Sequence, residues 1–199
     1  MTMFASYSFD NTRIVIYLDL SPPSIEITNL ANNSWVDSYD IRIVWKATDK
    51  IALENYSIYV NESLEYYGYL SGTYIEREDT IEVNKEATWN ITLVVYDKAK
   101  HFTKVSIFVN VDVTYPDVII DSPASGSWCN VLDVNVSWRA YDNIILNQYE
   151  ILVNNTLYES GTISETSVTT TSTISIANDG VWNITIVVYD KAQNKDYAS

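Results

Sequence analysis

The sequence predicts an all-β fold of two tandem sandwiches preceded by one additional strand. Three observations carry that prediction: the chain repeats itself at a constant spacing, its apolar residues alternate with a period of two, and its composition is that of strands and turns. The 199 residues include 16 Tyr and 6 Trp but only 2 Met. The abundant Val, Ile, Thr and Tyr are strand formers, and few long runs of helix formers balance them. With 47% hydrophobic and 19% charged residues, the chain is globular, and its length allows one or two domains with real cores.

The repeat is the strongest of the three, because self-similarity decides the fold. Trp35 recurs as Trp128, 93 residues on, and the same offset relates Trp45 to Trp138, Asp49 to Asp142, Tyr56 to Tyr149, Gly68 to Gly161 and Trp89 to Trp182. WNITLVVYDKA at 89–99 returns as WNITIVVYDKA at 182–192. Without a gap, 31 of the 78 pairs between 22–99 and 115–192 are identical. The chain holds two copies of one domain.

The elements follow in order. A segment at 13–20 (RIVIYLDL) alternates like a strand. Proline then opens each copy, as PPSIEI and YPDVII. In the run from Ile41 to Ala47, residues Ile41, Ile43, Trp45 and Ala47 share the inner face. Tyr56, Ile58 and Val60 form the next inner set, then Ile81 and Val83, then Trp89, Ile91, Leu93 and Val95. Turn-forming clusters separate the runs: Asn32-Asn33-Ser34, Asp49-Lys50, Asn61-Glu62-Ser63 and Asp97-Lys98. About seven short strands in about 90 residues make a sandwich, and Trp45, Trp89, Trp138 and Trp182 are expected to fill the space between its sheets. The Thr-rich run 164–175 reads as an exposed edge strand.

These motifs resemble the Ig-like, fibronectin type III-like repeats of large prokaryotic surface proteins, archaeal ones above all. The resemblance rests on the Pro-initiated first strand, on DIRIVWKATD and DVNVSWRAYD, on Tyr-x-Ile-x-Val-Asn, and on WNIT-(Leu/Ile)-VVYDKA. VVYDKAQN is similar to a Tyr-Asp-x-Ala-Gly-Asn signature of those repeats, although the first copy reads YDKAKH and neither copy has the Gly. It covers the chain from about residue 14 and implies two tandem Ig-like β-sandwich domains in an extracellular, cell-surface setting. It implies no particular activity, because such sandwiches host many. The expected domains are an N-terminal donor-type strand at 1–20, a first Ig-like domain at 21–113 and a second at 114–199.

The two ends of the repeat do not match. The first copy runs on into a last strand, 102–112, whereas in the second copy the equivalent of Ile107 falls beyond Ser199. The opening segment supplies the equivalents instead: Ile14 corresponds to Ile107, Ile16 to Val109, Leu18 to Val111 and Asp19 to Asp112. Two arrangements produce this mismatch. The chain is a window cut from a longer array, a spacer or stalk segment of an adhesin-type surface protein. Or it is a subunit whose N-terminal strand, through Ile14, Ile16 and Leu18, completes the second domain of the next copy. Head-to-tail addition of that kind does not close and gives a filament or surface layer.

Seven Asn-x-Ser/Thr triplets, at Asn32, Asn55, Asn61, Asn90, Asn135, Asn154 and Asn183, are candidate N-glycosylation sites. The pairs Asn61/Asn154 and Asn90/Asn183 recur at equivalent places, Asn90 and Asn183 on the predicted outward face; Asn55 and Asn135 lie near or within strands. Met1–Ala5 lacks the basic start and apolar core of a leader, so an extracellular setting requires a leader already removed or a longer parent chain.

Several function classes fall away. With 12 Lys+Arg against 26 Asp+Glu, the formal charge is −14, a field that repels nucleic acid. No stretch approaches the ~18 apolar residues of a membrane helix. A single cysteine, Cys129, permits no internal disulfide, and its alignment with Val36 predicts a buried thiol. One histidine, His101, leaves no His-based triad or multi-histidine metal site, and it is expected in solvent. No Gly-rich phosphate loop is present, so no enzyme is expected. Tyr66, Tyr67 and Tyr69 are the one candidate aromatic platform for a carbohydrate, or else a packing or inter-subunit surface. No cofactor is expected beyond a structural Ca²⁺, for which Asp19, Asp112 and Asp117 near the domain joints are weak candidates, with Asp49/Asp142 and Asp97/Asp190 recurring at loop starts. Such aspartates either take hydrogen bonds from turn amides or gather oxygens round a hard cation.

Overall fold

The computed structural model describes residues 14–199. Every regular element in it is a strand. The first copy contains β1 (Ser24–Ile27), β2 (Ser34–Val36), β3 (Asp40–Thr48), β4 (Leu53–Val60), β5 (Ser63–Tyr69), β6 (Tyr74–Glu82), β7 (Ala87–Asp97) and β8 (Phe102–Val111). The second contains β9 (Asp117–Ser122), β10 (Asp133–Tyr141), β11 (Leu146–Val153), β12 (Thr156–Thr162), β13 (Ser167–Ser175), β14 (Ile184–Asp190) and β15 (Lys195–Ala198). Among the described residues no helix is long and apolar enough to cross a membrane.

Each copy has its own two sheets and its own core. In the first, a β1-β3-β6 sheet faces a β2-β8-β7-β4-β5 sheet; in the second, β13-β10-β9 faces β12-β11-β14-β15. The alternation read from sequence is the alternation observed: Ile41, Ile43, Trp45 and Ala47 on β3, and Ile91, Leu93 and Val95 on β7, are buried. The Thr-rich β13 is an edge strand, as is β6 in the first copy.

At the centre of each core a buried tryptophan packs on a tyrosine. Trp45 and Tyr56 have ring centroids 5.1 Å apart, as do Trp138 and Tyr149. The recurring glycine faces that tyrosine across the β4–β5 or β11–β12 pair, where Gly68 opposes Tyr56 and Gly161 opposes Tyr149. A Cβ on either glycine would run into the ring. Trp89 and Trp182 sit at the rim and not at the centre, each half-buried, with the indole N–H donating to the carbonyl of Lys85 (3.3 Å) or Asn178 (3.2 Å). They stand where their sheet begins, and the polar nitrogen keeps a partner there.

The hairpins after β4 and β11 turn through left-handed residues, Asn61-Glu62 and Asn154-Asn155, with φ between 46° and 72°. Asparagine tolerates that region. Its side chain also ties the hairpin to the neighbouring strand, since Asn61 Oδ1 accepts the N–H of Asn90 (3.0 Å) and Asn154 Oδ1 that of Asn183 (2.9 Å).

Besides the two rim tryptophans, three expectations fail, two of them for one reason. Cys129 is exposed, although its equivalent Val36 is half-buried on β2. β2 exists because it pairs in parallel with Val109, Asn110 and Val111 at the end of β8. β15 ends at Ala198, so among the described residues no strand lies beside 127–129, which form none themselves; Trp128 stands fully exposed. Residues 14–20, expected to be a strand, lie outside every sheet, with no strand paired to them among the described residues, and Arg13 lies outside the described residues. His101 is half-buried rather than solvated, its Nδ1 2.9 Å from Asp97 Oδ2.

Candidate functional site

The site is the sheet edge along 180–185 at the start of β14. In the first copy β8 pairs with the whole of β7, bringing Ile107 opposite Ile91, Val109 opposite Trp89 and Val111 opposite Ala87. All three β8 side chains are buried in the core. In the second copy β15 pairs only with Ile186 to Tyr189. The equivalents of the remaining β7 positions, 180–185, take no partner on that side among the described residues. β14 is correspondingly shorter, starting at Ile184 where β7 starts at Ala87.

A groove of about 330 Å³ occupies this place. Ile120 and Val136 of one sheet and Ile184 of the other line it together with Trp182 just before β14, the loop 123–127 closes one side, and Ser199 completes the lining. It is the space that the end of β8 fills in the first copy.

At the other end of the chain, Ile14, Ile16 and Leu18 are 82, 82 and 73% exposed. They are the repeat equivalents of the buried Ile107, Val109 and Val111. The described residues therefore include an apolar segment outside any sheet and a sheet edge with an apolar groove. Such surfaces favour strand addition. The segment's exposure is a property that sequence reasoning had no means to find; the register came from the 93-residue offset alone.

The sequons distribute unevenly. Asn32, Asn61, Asn135, Asn154 and Asn183 are exposed, whereas Asn55 and Asn90 are half-buried. Asn90 Oδ1 is buried without a partner, so Asn90 is less open than its outward position suggests, and Asn135 more open than its place in a strand suggests. Tyr67 and Tyr69 form an exposed edge-to-face pair on β5, centroids 5.4 Å apart, while the Tyr66 hydroxyl donates to the Thr80 carbonyl (2.6 Å).

Of the carboxylates singled out near the joints, the structure gathers Asp112 with Asp142 and Asp190, and Asp19 with Asp97 and His101. Asp117 is exposed on β9 and belongs to neither group. In each aspartate of these two groups one oxygen does the turn work. Asp142 Oδ1 accepts the N–H groups of Ile144 (2.8 Å) and Ile145 (2.6 Å), as Asp49 Oδ1 does for Ile51 and Ala52 (both 2.8 Å). Asp112 Oδ1 accepts from Thr114 N, and Asp190 Oδ1 from Asn194 N. Burial, and then the charges of Asp142 and Asp190, push the Asp112 carboxyl up to about 7. Burial likewise raises Asp190, against the hydrogen bonds from Asn194.

No protein-family model matches the chain, and no curated protein matches it in sequence. Among solved structures it is similar to the fibronectin(III)-like modules of Clostridium thermocellum CbhA, at 17% identity and a TM-score of 0.59 over 87% of this chain and 91% of that one. Looser likenesses include a bacterial ice-binding adhesin (14% identity, TM-score 0.37, covering 89% of this chain and 62% of that one) and the Bacteroides ovatus mixed-linkage glucan protein SGBP-B (16%, 0.34, 89% and 46%). The first likeness shows the fold: fibronectin type III-like sandwiches. The other two are too distant to add to it.

Proposed function

We propose that the chain is a structural, non-catalytic building block of an extracellular filament or surface layer, in which Ile14, Ile16 and Leu18 of one molecule complete the second sandwich of the next. One observation carries the reading: the exposed triplet stands in repeat register with the three buried side chains of β8, and the groove lies where their counterparts belong. By that register Ile14 pairs with Ile184, Ile16 with Trp182 and Leu18 with Gly180 in antiparallel fashion. On the other flank Leu18 lies beside Cys129, as Val111 lies beside Val36 in the first copy. The archaeal setting and N-linked glycans proposed from the sequence fit an outer surface with five exposed sequons.

The register supplies the test. Neighbouring strands run about 5 Å apart, within disulfide range, and Cys129 is the only native thiol. Leu18→Cys should give, on mild oxidation, a ladder of covalent oligomers that collapses on reduction, and Tyr17→Cys should not. A Leu18→Cys protein that stays monomeric on oxidation and sediments as a monomer overturns the proposal.

A second reading, a spacer or stalk segment of a larger adhesin-type protein, is favoured by the side-chain bridges from the second sandwich to the first and its linker, from Asn143 Nδ2 to Glu86 (2.6 Å) and from Asn194 Nδ2 to the Asp112 carbonyl (3.0 Å), which a stiff spacer also needs. Electron microscopy of the native material separates them, since a spacer gives no long assemblies made of this chain.

A further inference from the structure

We propose that Asp112, Asp142 and Asp190 form a Ca²⁺ site that locks the second sandwich to the end of the first. The three side chains come from different places: Asp112 directly follows β8, Asp142 follows β10, and Asp190 ends β14. One oxygen of each lies within 4.8 Å of the others. The residues are 0, 1 and 0% exposed, and none of them joins an ion pair among the described residues. Most telling, Asp112 Oδ2 and Asp142 Oδ2 are buried and have no hydrogen-bond partner among the described residues. Buried carboxylate oxygens without partners are strongly unfavourable, and three together repel one another. A cation at their focus removes both penalties.

The donor set selects the ion. All the carboxylate ligands are hard oxygens, with no thiolate or imidazole in the cluster, which disfavours zinc and copper. Ca²⁺ accepts six to eight oxygens in flexible geometry and tolerates water or carbonyl oxygen in the rest of its shell. The site is also fixed in advance, because the Oδ1 atoms of Asp112 and Asp142 are already held by backbone N–H groups, leaving Oδ2 as the free ligand. Asn194 reinforces it from behind, donating through Nδ2 to Asp190 Oδ2 (2.7 Å) and to the carbonyls of Asp112 (3.0 Å) and Thr114 (3.3 Å).

The first copy shows what the cluster looks like with one residue changed. Asp19, Asp49 and Asp97 are the equivalents, and Asp49 Oδ2 is again buried without a partner. There His101 replaces Asn194 and sets its ring against Asp97. Asp49 lies outside the close group of Asp19, Asp97 and His101. The all-oxygen site is thus the one between the two sandwiches.

The test uses the whole 199-residue chain, freed of metal by chelator. Calorimetric titration with CaCl₂ should give a saturable binding event, and millimolar CaCl₂ should raise the melting temperature by several degrees, as any ligand of the folded state does. Asp142→Asn keeps Oδ1 for the turn, so it folds. It should lose that event and its Ca²⁺ response, and in chelator it should melt above the wild type because the repulsion is relieved. Asp49→Asn should leave the event intact. A chain whose heat signal and melting ignore both CaCl₂ and chelator overturns the proposal. So does an event that survives in Asp142→Asn, and MgCl₂ acting as well as CaCl₂ overturns the choice of calcium.

Discussion

Glu86 of the first sandwich accepts a hydrogen bond from the side-chain amide of Asn143 in the second, at 2.6 Å. Its other oxygen takes the Val113 N–H (2.9 Å) and the Thr114 hydroxyl (2.6 Å) from the linker between them. One carboxylate therefore holds three points of the joint. Lys191 adds a fourth contact across it, its ammonium 5.9 Å from the centre of the Trp35 ring.

The Glu86 clamp makes the joint sensitive to acid. Burial pushes the Glu86 carboxyl up, but the hydrogen bonds from Thr114, Val113 and Asn143 outweigh it and hold the group below the usual glutamate range. A group depressed in the folded state contributes fully above its unfolded value and loses that contribution as pH falls through the folded one. In Ca²⁺-free solution the Glu86 share of inter-domain alignment, read as the difference in residual dipolar couplings between wild type and Glu86→Ala, should persist down to the ordinary glutamate range and be lost below it. In Glu86→Ala the joint should be loose at every pH.

The glycine–tyrosine contact predicts a stability loss with a clear cause. Gly68→Ala or Gly161→Ala places a methyl group against the ring of Tyr56 or Tyr149, and overpacking of that kind costs about 1–3 kcal/mol. Denaturant unfolding should show the loss, and the site of local change in amide exchange should follow the copy that was altered.

Much of this was legible in the sequence, and the limits of that legibility have one source. Period-two alternation reports which side of a strand faces in, so Ile41, Ile43 and Trp45 could be assigned from sequence. The repeat offset reports equivalence, so the register of Ile14 with Ile107 was readable too. Neither reports whether an element's partner is present. Val36 and Cys129 are equivalent, yet one is half-buried beside β8 and the other exposed beside nothing. Convergence of side chains from separate loops is equally silent: Asp117 and Asp112 both flank the joint in sequence, yet only Asp112 belongs to the cluster, which Asp142 and Asp190 enter from strand ends far apart in sequence.

The buried polar cluster of the first core is not repeated in the second. Asp79 accepts the Trp45 indole N–H (2.8 Å), the Tyr56 hydroxyl (3.3 Å) and the Arg77 guanidinium (3.0 Å). In the second copy Ser172 takes the Trp138 indole alone, at 3.3 Å. Asp79→Ala should strand those donors and destabilise the first sandwich by about 2–4 kcal/mol, whereas Ser172→Ala should cost the second about 1 kcal/mol. Separate unfolding of the two sandwiches, followed by amide exchange, measures each.

Strand addition can be tested without polymer. A synthetic peptide of residues 13–20 should bind a chain lacking residues 1–20, raise its melting temperature and change the emission of Trp182 at the groove. The same peptide with Ile16→Asp should do none of these, because a charge would enter the core.

If the native material carries glycans, occupancy should follow exposure. Glycopeptide mass spectrometry should find sugar at Asn32, Asn61, Asn135, Asn154 and Asn183, and little at Asn55 and Asn90.

The position of β8 has a mechanical consequence. It runs through the interior of its sheet, zipped to β7 along one flank and gripped by β2 on the other, and the chain leaves it directly into the next sandwich. A pull on that sandwich therefore drags β8 along its own length and loads its ladders together in shear, where an edge strand would peel bond by bond. The first sandwich should behave under tension as a stiff link that yields late and all at once.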